Sequence, residues 1–187
     1  MPHAPLVIAA DGWVAGVDRL RSPNADARPE EARVSLAVIH NISLPPGCYG
    51  GGFVERLFLN QLDESAGGFI ARVAGARVSA HFFIDRGGRC IQFVSCLDRA
   101  WHAGASVFRG RPRCNDFSVG IELEGSDFEP FADAQYVAIN ALLPALAAAY
   151  PLEAVVGHSD IATDRKTDPG PFFDWSRLHL APGLIAR

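Results

Sequence analysis

The sequence predicts a mixed α/β fold, a central mixed β-sheet flanked by helices, on three observations. Short, bounded apolar runs recur at 35–41, 117–124 and 154–158, with the length and punctuation of buried strands. Two further runs, 80–84 and 90–95, flank Asp85-Arg86-Gly87-Gly88, the composition of a tight hairpin. Two stretches, 53–62 and 133–149, carry apolar residues at helical spacing. Strands and helices interleaved in this order pack as a sheet with helices on its faces.

Each element has its own warrant. The run SLAVIHN at 35–41 is apolar enough for a central strand and ends in a histidine beside a Pro-Pro-Gly loop. In 53–62, Phe53, Leu57 and Phe58 share a helical face while Glu55 and Arg56 turn away. The paired glycines at 87–88 supply the positive φ angles of the hairpin turn. FSVGIELE at 117–124 alternates, so Val119, Ile121 and Leu123 face one layer and Gly120, Glu122 and Glu124 the other. Asp133 is the expected N-cap of a helix to Ala149 with a Tyr136, Ile139, Leu143 and Leu146 stripe, kinked at Pro144. The run 154–158 is a strand ending in a second histidine, and Asp174 starts a final helix.

Composition narrows the class. A chain of 187 residues, 49% hydrophobic and 20% charged, reads as one globular domain over 1–187, without repeats or linkers. A net charge of -4 offers no basic field for nucleic acid. The apolar run 6–10 stops at Asp11 with no basic residues before it, so no export signal is read, and no stretch is long enough to span a membrane. The expectation is a cytoplasmic monomer without nucleic-acid or membrane partners. Cys48, Cys90, Cys96 and Cys114 form no CxxC pair and are expected as free thiols, with Cys90 and Cys96 as apolar fillers on one face of one strand.

His40 and His158 each end an expected strand, and Asp168 follows in the loop KTDPGP. Two imidazoles, a carboxylate and one open position make a catalytic zinc site. Spacing alone does not choose this triple, because His81 in SAHFF and His102 in WHAG are equally eligible; His3 and His179, near the termini, read as solvated. Glu122 is a carboxylate inside an apolar strand, which is costly unless paired or functional. Sharing a face with Glu124, it is expected to have a raised pKa suited to proton transfer, with an arginine salt bridge as the alternative. Lys166 stands two residues before Asp168, so an extended loop turns both the same way, where a lysine could stabilise an oxyanion.

The segments VIHNISLPPG (38–47), RVSAHF (77–82), RAWHAG (99–104), CNDFSVGIELEG (114–125), GHSDIA (157–162) and RKTDPG (165–170) resemble, in order and spacing, the 1,6-anhydro-N-acetylmuramyl-L-alanine amidases of peptidoglycan recycling. These belong to the type 2 amidase and peptidoglycan-recognition superfamily. The resemblance implies that superfamily's sheet-and-helix fold and one zinc ion per chain, held by His40, His158 and Asp168, with His81 matching a histidine that is not a ligand. It implies Glu122 as the acid-base residue and Lys166 as its companion in hydrolysing the lactyl–L-alanine amide of anhydro-muropeptides. It also places Asn41, Arg77, Trp101 and Arg113 as sugar or stem-peptide contacts. The chain departs from the pattern at 67–76 and at Thr163, which stands where a proline is usual. A non-catalytic binding module would be expected to lack a ligand, an exported wall amidase to show a leader, and an unrelated zinc peptidase to show HExxH; none of these is read.

Overall fold

The computed structural model describes residues 5–186. In chain order it forms β1 (Asp18–Arg19), β2 (Ala25–Ala27), β3 (Leu36–Ile42), α1 (Phe53–Phe58), α2 (Gly68–Val73), β4 (Phe82–Ile84), β5 (Cys90–Gln92) and β6 (Asp98–Ala100). It continues through β7 (Val107–Phe108), β8 (Arg111–Pro112), β9 (Ser118–Glu124), α3 (Asp133–Ala149), β10 (Ala154–Gly157), α4 (His158–Ile161) and β11 (Ile185–Ala186). One seven-stranded sheet runs β1-β5-β4-β9-β3-β10-β11, and β2/β6 and β7/β8 pair separately. Within the large sheet only β4 and β5 are antiparallel. The expected mixed sheet is present.

The two sheet faces have different jobs. On one, Ala37, Ile39, Val119, Ile121, Leu123 and Val155 pack against Tyr136, Ile139, Leu142, Leu143 and Leu146 of α3. The other face divides. Phe83 and Ile91 are covered by Val54, Leu57 and Phe58 of α1 and Ile70 of α2, whereas Leu36, Val38 and Val156 are covered by Ala103, Cys114, Phe117 and Ile161. His40 and Glu122 are register partners on the face that carries Leu36 and Val38. Central parallel strands are buried on both sides, which is why β3 and β9 read as nearly continuous apolar runs.

Several boundaries move. The first helix stops at Phe58; its buried residues are Val54, Leu57 and Phe58, while Phe53 is partly buried with the Arg56 guanidinium 4.5 Å from its ring. The hairpin strands are shorter than expected, and of the two glycines only Gly88 has a positive φ, its N–H donating to Asp85 O at 2.9 Å. Cys90 and Cys96 reach the same core, but Cys96 lies beyond the end of β5; all four cysteines are free. Ala132, not Asp133, caps α3, and Pro144 is exposed within a helix that runs on to Ala149. His158 opens α4 rather than ending β10, because the Asp160 carboxylate accepts from Gly157 N–H at 2.7 Å and turns the chain into a helix. Asp174 does cap, accepting from Ser176 N–H, but only a 3₁₀ turn follows, Trp175–Arg177. The divergent stretch at 67–76 contains α2, which the sequence did not suggest. No described helix is long and apolar enough to cross a membrane.

Candidate active site

His40 comes from β3, His158 from the first turn of α4 and Asp168 from the following loop. Ser159 N–H donates to Asp168 O at 2.9 Å, tying loop to helix. Gly157 allows the close approach of the loop, since a Cβ there would lie 2.8 Å from Pro169 Cδ. Asn41 donates to Pro169 O at 3.1 Å and to Asp127 Oδ1 at 2.7 Å, holding the same loop against β3.

The three donor atoms converge. His40 Nδ1 lies 3.0 Å from His158 Nδ1 and 2.9 Å from Asp168 Oδ2, and His158 Nδ1 lies 3.1 Å from that oxygen. Ligands of a tetrahedral ion bound at about 2.0–2.1 Å stand roughly 3.3 Å apart, so this triangle fits one metal ion with little adjustment. Among the described residues these three form the one His/Cys/Asp/Glu group that could hold a metal ion, and His40 and His158 are buried. Burial pushes the His40 imidazole down to about 4, keeping it neutral as a ligand must be. Burial opposes ionisation of Asp168, but the hydrogen bonds with His158 and His40 prevail and hold its carboxyl well below the usual range.

The other eligible histidines resolve by their hydrogen bonds. His81 Nδ1 accepts from Gly120 N–H at 3.0 Å, and its Nε2 lies 3.0 Å from Arg28 Nη2 and 3.1 Å from Asp98 O, so both nitrogens are taken by groups outside the triple. His102 Nδ1 lies 3.0 Å from His40 Nε2, beside the triple but not in it. His179 is exposed, and His3 lies outside the described residues.

Glu122 is 9% exposed, and its Oε2 is a buried atom with no hydrogen-bond partner among the described residues. Among the described residues no arginine salt bridge engages it. Its carboxyl is pushed well above the ordinary range, by burial first and the Asp168 charge second, with Lys166 pulling it partly back. The expected partner in that shift, Glu124, is not its cause. Glu124 accepts from Gly50 N–H at 2.5 Å and Arg86 N–H at 3.0 Å, which makes it an anchor for two loops. Lys166 is exposed, and its charge acts on both Glu122 and His40.

The remaining expected contacts lie apart from the triple in their bonding. Trp101 Nε1–H donates to Asp26 at 3.2 Å, Arg113 is 76% exposed and pairs with Asp116 at 3.0 Å, and exposed Arg77 lies 3.5 Å from Asn60. Sequence reasoning did not identify Asp127 or Arg165 as supports. Arg165 donates to Ala103 O and Ala105 O at 2.8 and 2.7 Å, contacts across 62 and 60 residues of chain that no local pattern encodes.

Two imidazoles and a carboxylate that could hold one metal ion, with a buried glutamate on the neighbouring strand, form an arrangement that suits metal-assisted hydrolysis. Residues 30–171 match the family model for N-acetylmuramoyl-L-alanine amidase. The chain is 49% identical over 175 residues to the 1,6-anhydro-N-acetylmuramyl-L-alanine amidase AmpD of Enterobacter cloacae, covering 92% of this chain and 94% of that protein. A crystal structure of AmpD superposes with a TM-score of 0.88 at 48% identity, covering 91% of this chain and 97% of that one. The amidase AmiD from E. coli, in complex with the substrate anhydro-N-acetylmuramic acid-L-Ala-D-γ-Glu-L-Lys, matches with a TM-score of 0.58 at 29% identity, over 92% of this chain and 64% of that one. The chain belongs to the N-acetylmuramoyl-L-alanine amidase family, and it is an enzyme of that activity.

Proposed function

We propose that this chain is a single-domain, monomeric, zinc-dependent amidase over 1–187. It hydrolyses the bond between the lactyl group of 1,6-anhydro-N-acetylmuramic acid and L-alanine, in peptidoglycan recycling. The observation that carries the reading is the unpartnered Oε2 of Glu122 on the strand next to the converging His40, His158 and Asp168. A buried, unbonded carboxylate is costly, and a site that needs a proton acceptor accounts for it. The donor set of two neutral imidazoles and one carboxylate suits zinc. The names of the relatives supply the substrate class.

Bound at these three residues, zinc would polarise the scissile carbonyl and make water more acidic. Glu122 then takes a proton as the water oxygen adds to the lactyl carbonyl carbon. Lys166, whose charge acts on Glu122, would stabilise the negative charge that develops on the carbonyl oxygen. When the carbon–nitrogen bond breaks, Glu122 returns the proton to the departing alanine nitrogen. A carboxyl with a raised pKa suits both directions of transfer. The products are the anhydro-muramyl acid and a stem peptide with a free amine. Asn41 and Trp101 would meet the sugar, while exposed Arg77 and Arg113 would fork onto stem-peptide carboxylates. In this reading the enzyme works in the cytoplasm, where its four free cysteines stay reduced.

The test compares anhydro-muropeptide, intact muropeptide and polymeric wall, with zinc content measured on the same protein sample. Chelator-sensitive release of stem peptide from the anhydro form, at one zinc per chain, is expected. A zinc-loaded protein that releases no peptide, or that prefers polymeric wall, would sink the reading.

A further inference from the structure

The WHAG segment holds a histidine that is neither a ligand nor used in the mechanism above. His102 Nδ1 lies 3.0 Å from His40 Nε2, and His102 Nε2 lies 3.2 Å from Ser118 Oγ. The next residue does the equivalent for the second imidazole: Ala103 O lies 3.0 Å from His158 Nε2. The outward nitrogens of both converging histidines are therefore met by two consecutive residues.

The chemistry of a neutral imidazole makes this consequential. It carries one proton, and the nitrogen that faces a metal must be bare, so each of His40 and His158 must keep its proton on Nε2. A carbonyl oxygen can only accept, so Ala103 holds His158 in that tautomer. For His40 the partner is another imidazole, which accepts at Nδ1 only if its own proton sits on Nε2. Ser118 Oγ is placed to take that proton's hydrogen bond. The chain His40, His102, Ser118 thus has one consistent arrangement that leaves His40 Nδ1 bare.

The segment is also held firmly. Asn115 Oδ1 accepts from His102 N–H at 3.2 Å and from Ala103 N–H at 2.8 Å, and Arg165 donates to Ala103 O at 2.8 Å. On β9 the residue beneath the ring is Gly120, where any Cβ would overlap His102. The space for the ring is made by the strand that carries Glu122.

We propose that His102 is a positioning residue that sets the tautomer and aim of His40, while Ala103 does so for His158. Metal affinity is thereby governed by a segment that contributes no ligand. This rests on the zinc reading above. Partners of this kind typically govern affinity by about 10- to 100-fold.

The experiment is zinc competition against a calibrated chelator for the wild type, His102→Leu, His102→Asn and Ser118→Ala. Long-range proton–nitrogen NMR spectra of the imidazoles in the zinc-loaded protein accompany it. Asparagine keeps an acceptor oxygen near the place of Nδ1, and leucine fills the volume without one. His102→Leu is expected to bind zinc about 10- to 100-fold more weakly. His102→Asn should recover most of that loss, and His40 should carry its proton on Nε2. Should His102→Leu fail to fold, as judged by melting of the metal-free protein, Ser118→Ala decides, with a several-fold loss expected. Unchanged affinity in His102→Leu, equal losses in leucine and asparagine variants, or unchanged affinity in Ser118→Ala would overturn the assignment. A wild type that takes up no zinc would instead overturn the metal reading on which it rests.

Discussion

At the scale of single residues, burial acts in opposite senses on a carboxyl and an imidazole. It raises the proton affinity of Glu122 and lowers that of His40, while the hydrogen bonds from two imidazoles keep Asp168 ionised against its own burial. Replacing Glu122 with glutamine keeps the shape and removes the proton acceptor. Peptide release should fall by about 10²- to 10⁴-fold while zinc content stays at the wild-type value; loss of zinc in that variant would show a ligand role instead. His158→Ala should do the reverse, losing bound zinc and activity together. The cysteines give an independent check on burial, since the Cys90 and Cys96 thiols are pushed up to about 12 and Cys48 is exposed. A thiol reagent at neutral pH, followed by mass spectrometry, should label Cys48 rapidly in the native protein, half-buried Cys90 more slowly, and buried Cys96 and Cys114 only on unfolding.

At the scale of elements, the strands do two things with their alternation. Odd-numbered residues of β3 and β9 pack on α3, and even-numbered ones furnish His40, Gly120 and Glu122. Gly120→Ala places a methyl group where the His102 ring lies, and overpacking of this kind costs about 1–3 kcal/mol. Urea denaturation should show that loss, with weaker zinc binding beside it; a neutral substitution would mean that the ring moves freely. The alternation of β9 was legible because a period of two leaves a plain pattern in seven residues. The start of α4 was not, because the choice between one more strand residue and a helical turn at His158 depends on Asp160 capping back to Gly157. The edge strands β1 and β11 were missed for a related reason: two-residue pairings are set by the neighbouring strand, not by their own sequence.

At the scale of the molecule, the buried histidines link stability to pH. His40, at about 4, and His81, held well below its usual value by burial and then by Arg28, are both neutral when folded. Their folded values lie below the unfolded one, so the unfolded chain takes up protons first. Their contribution is complete above about pH 6.5 and declines as pH falls toward the folded values, for His40 by roughly 2 kcal/mol between pH 7 and 5. Glu122 has the opposite sign, since its folded value is raised and the folded protein gains stability as pH falls through it. In metal-free Glu122→Gln, which lacks the opposing group, urea stability should drop steadily over this range. A flat profile would mean that the two imidazoles are not held neutral.

The sequence by itself determined the mixed sheet, the hairpin and the α3 stripe, and it supplied the candidate site residues. These depend on local periodicity and on residue type. Spacing and composition left His40, His81, His102 and His158 equivalent, with only the family resemblance choosing among them, because what an imidazole does depends on what meets its two nitrogens. The tertiary structure decided that. It spent the nitrogens of His81 on Gly120 N–H, Asp98 O and the Arg28 guanidinium, and it brought Nδ1 of His40 and His158 together across 118 residues of chain. It also set Glu122 apart from Glu124, giving one an unbonded oxygen and the other two loop amides. Contacts between distant segments carry no periodic signature, so only the folded chain could make these distinctions.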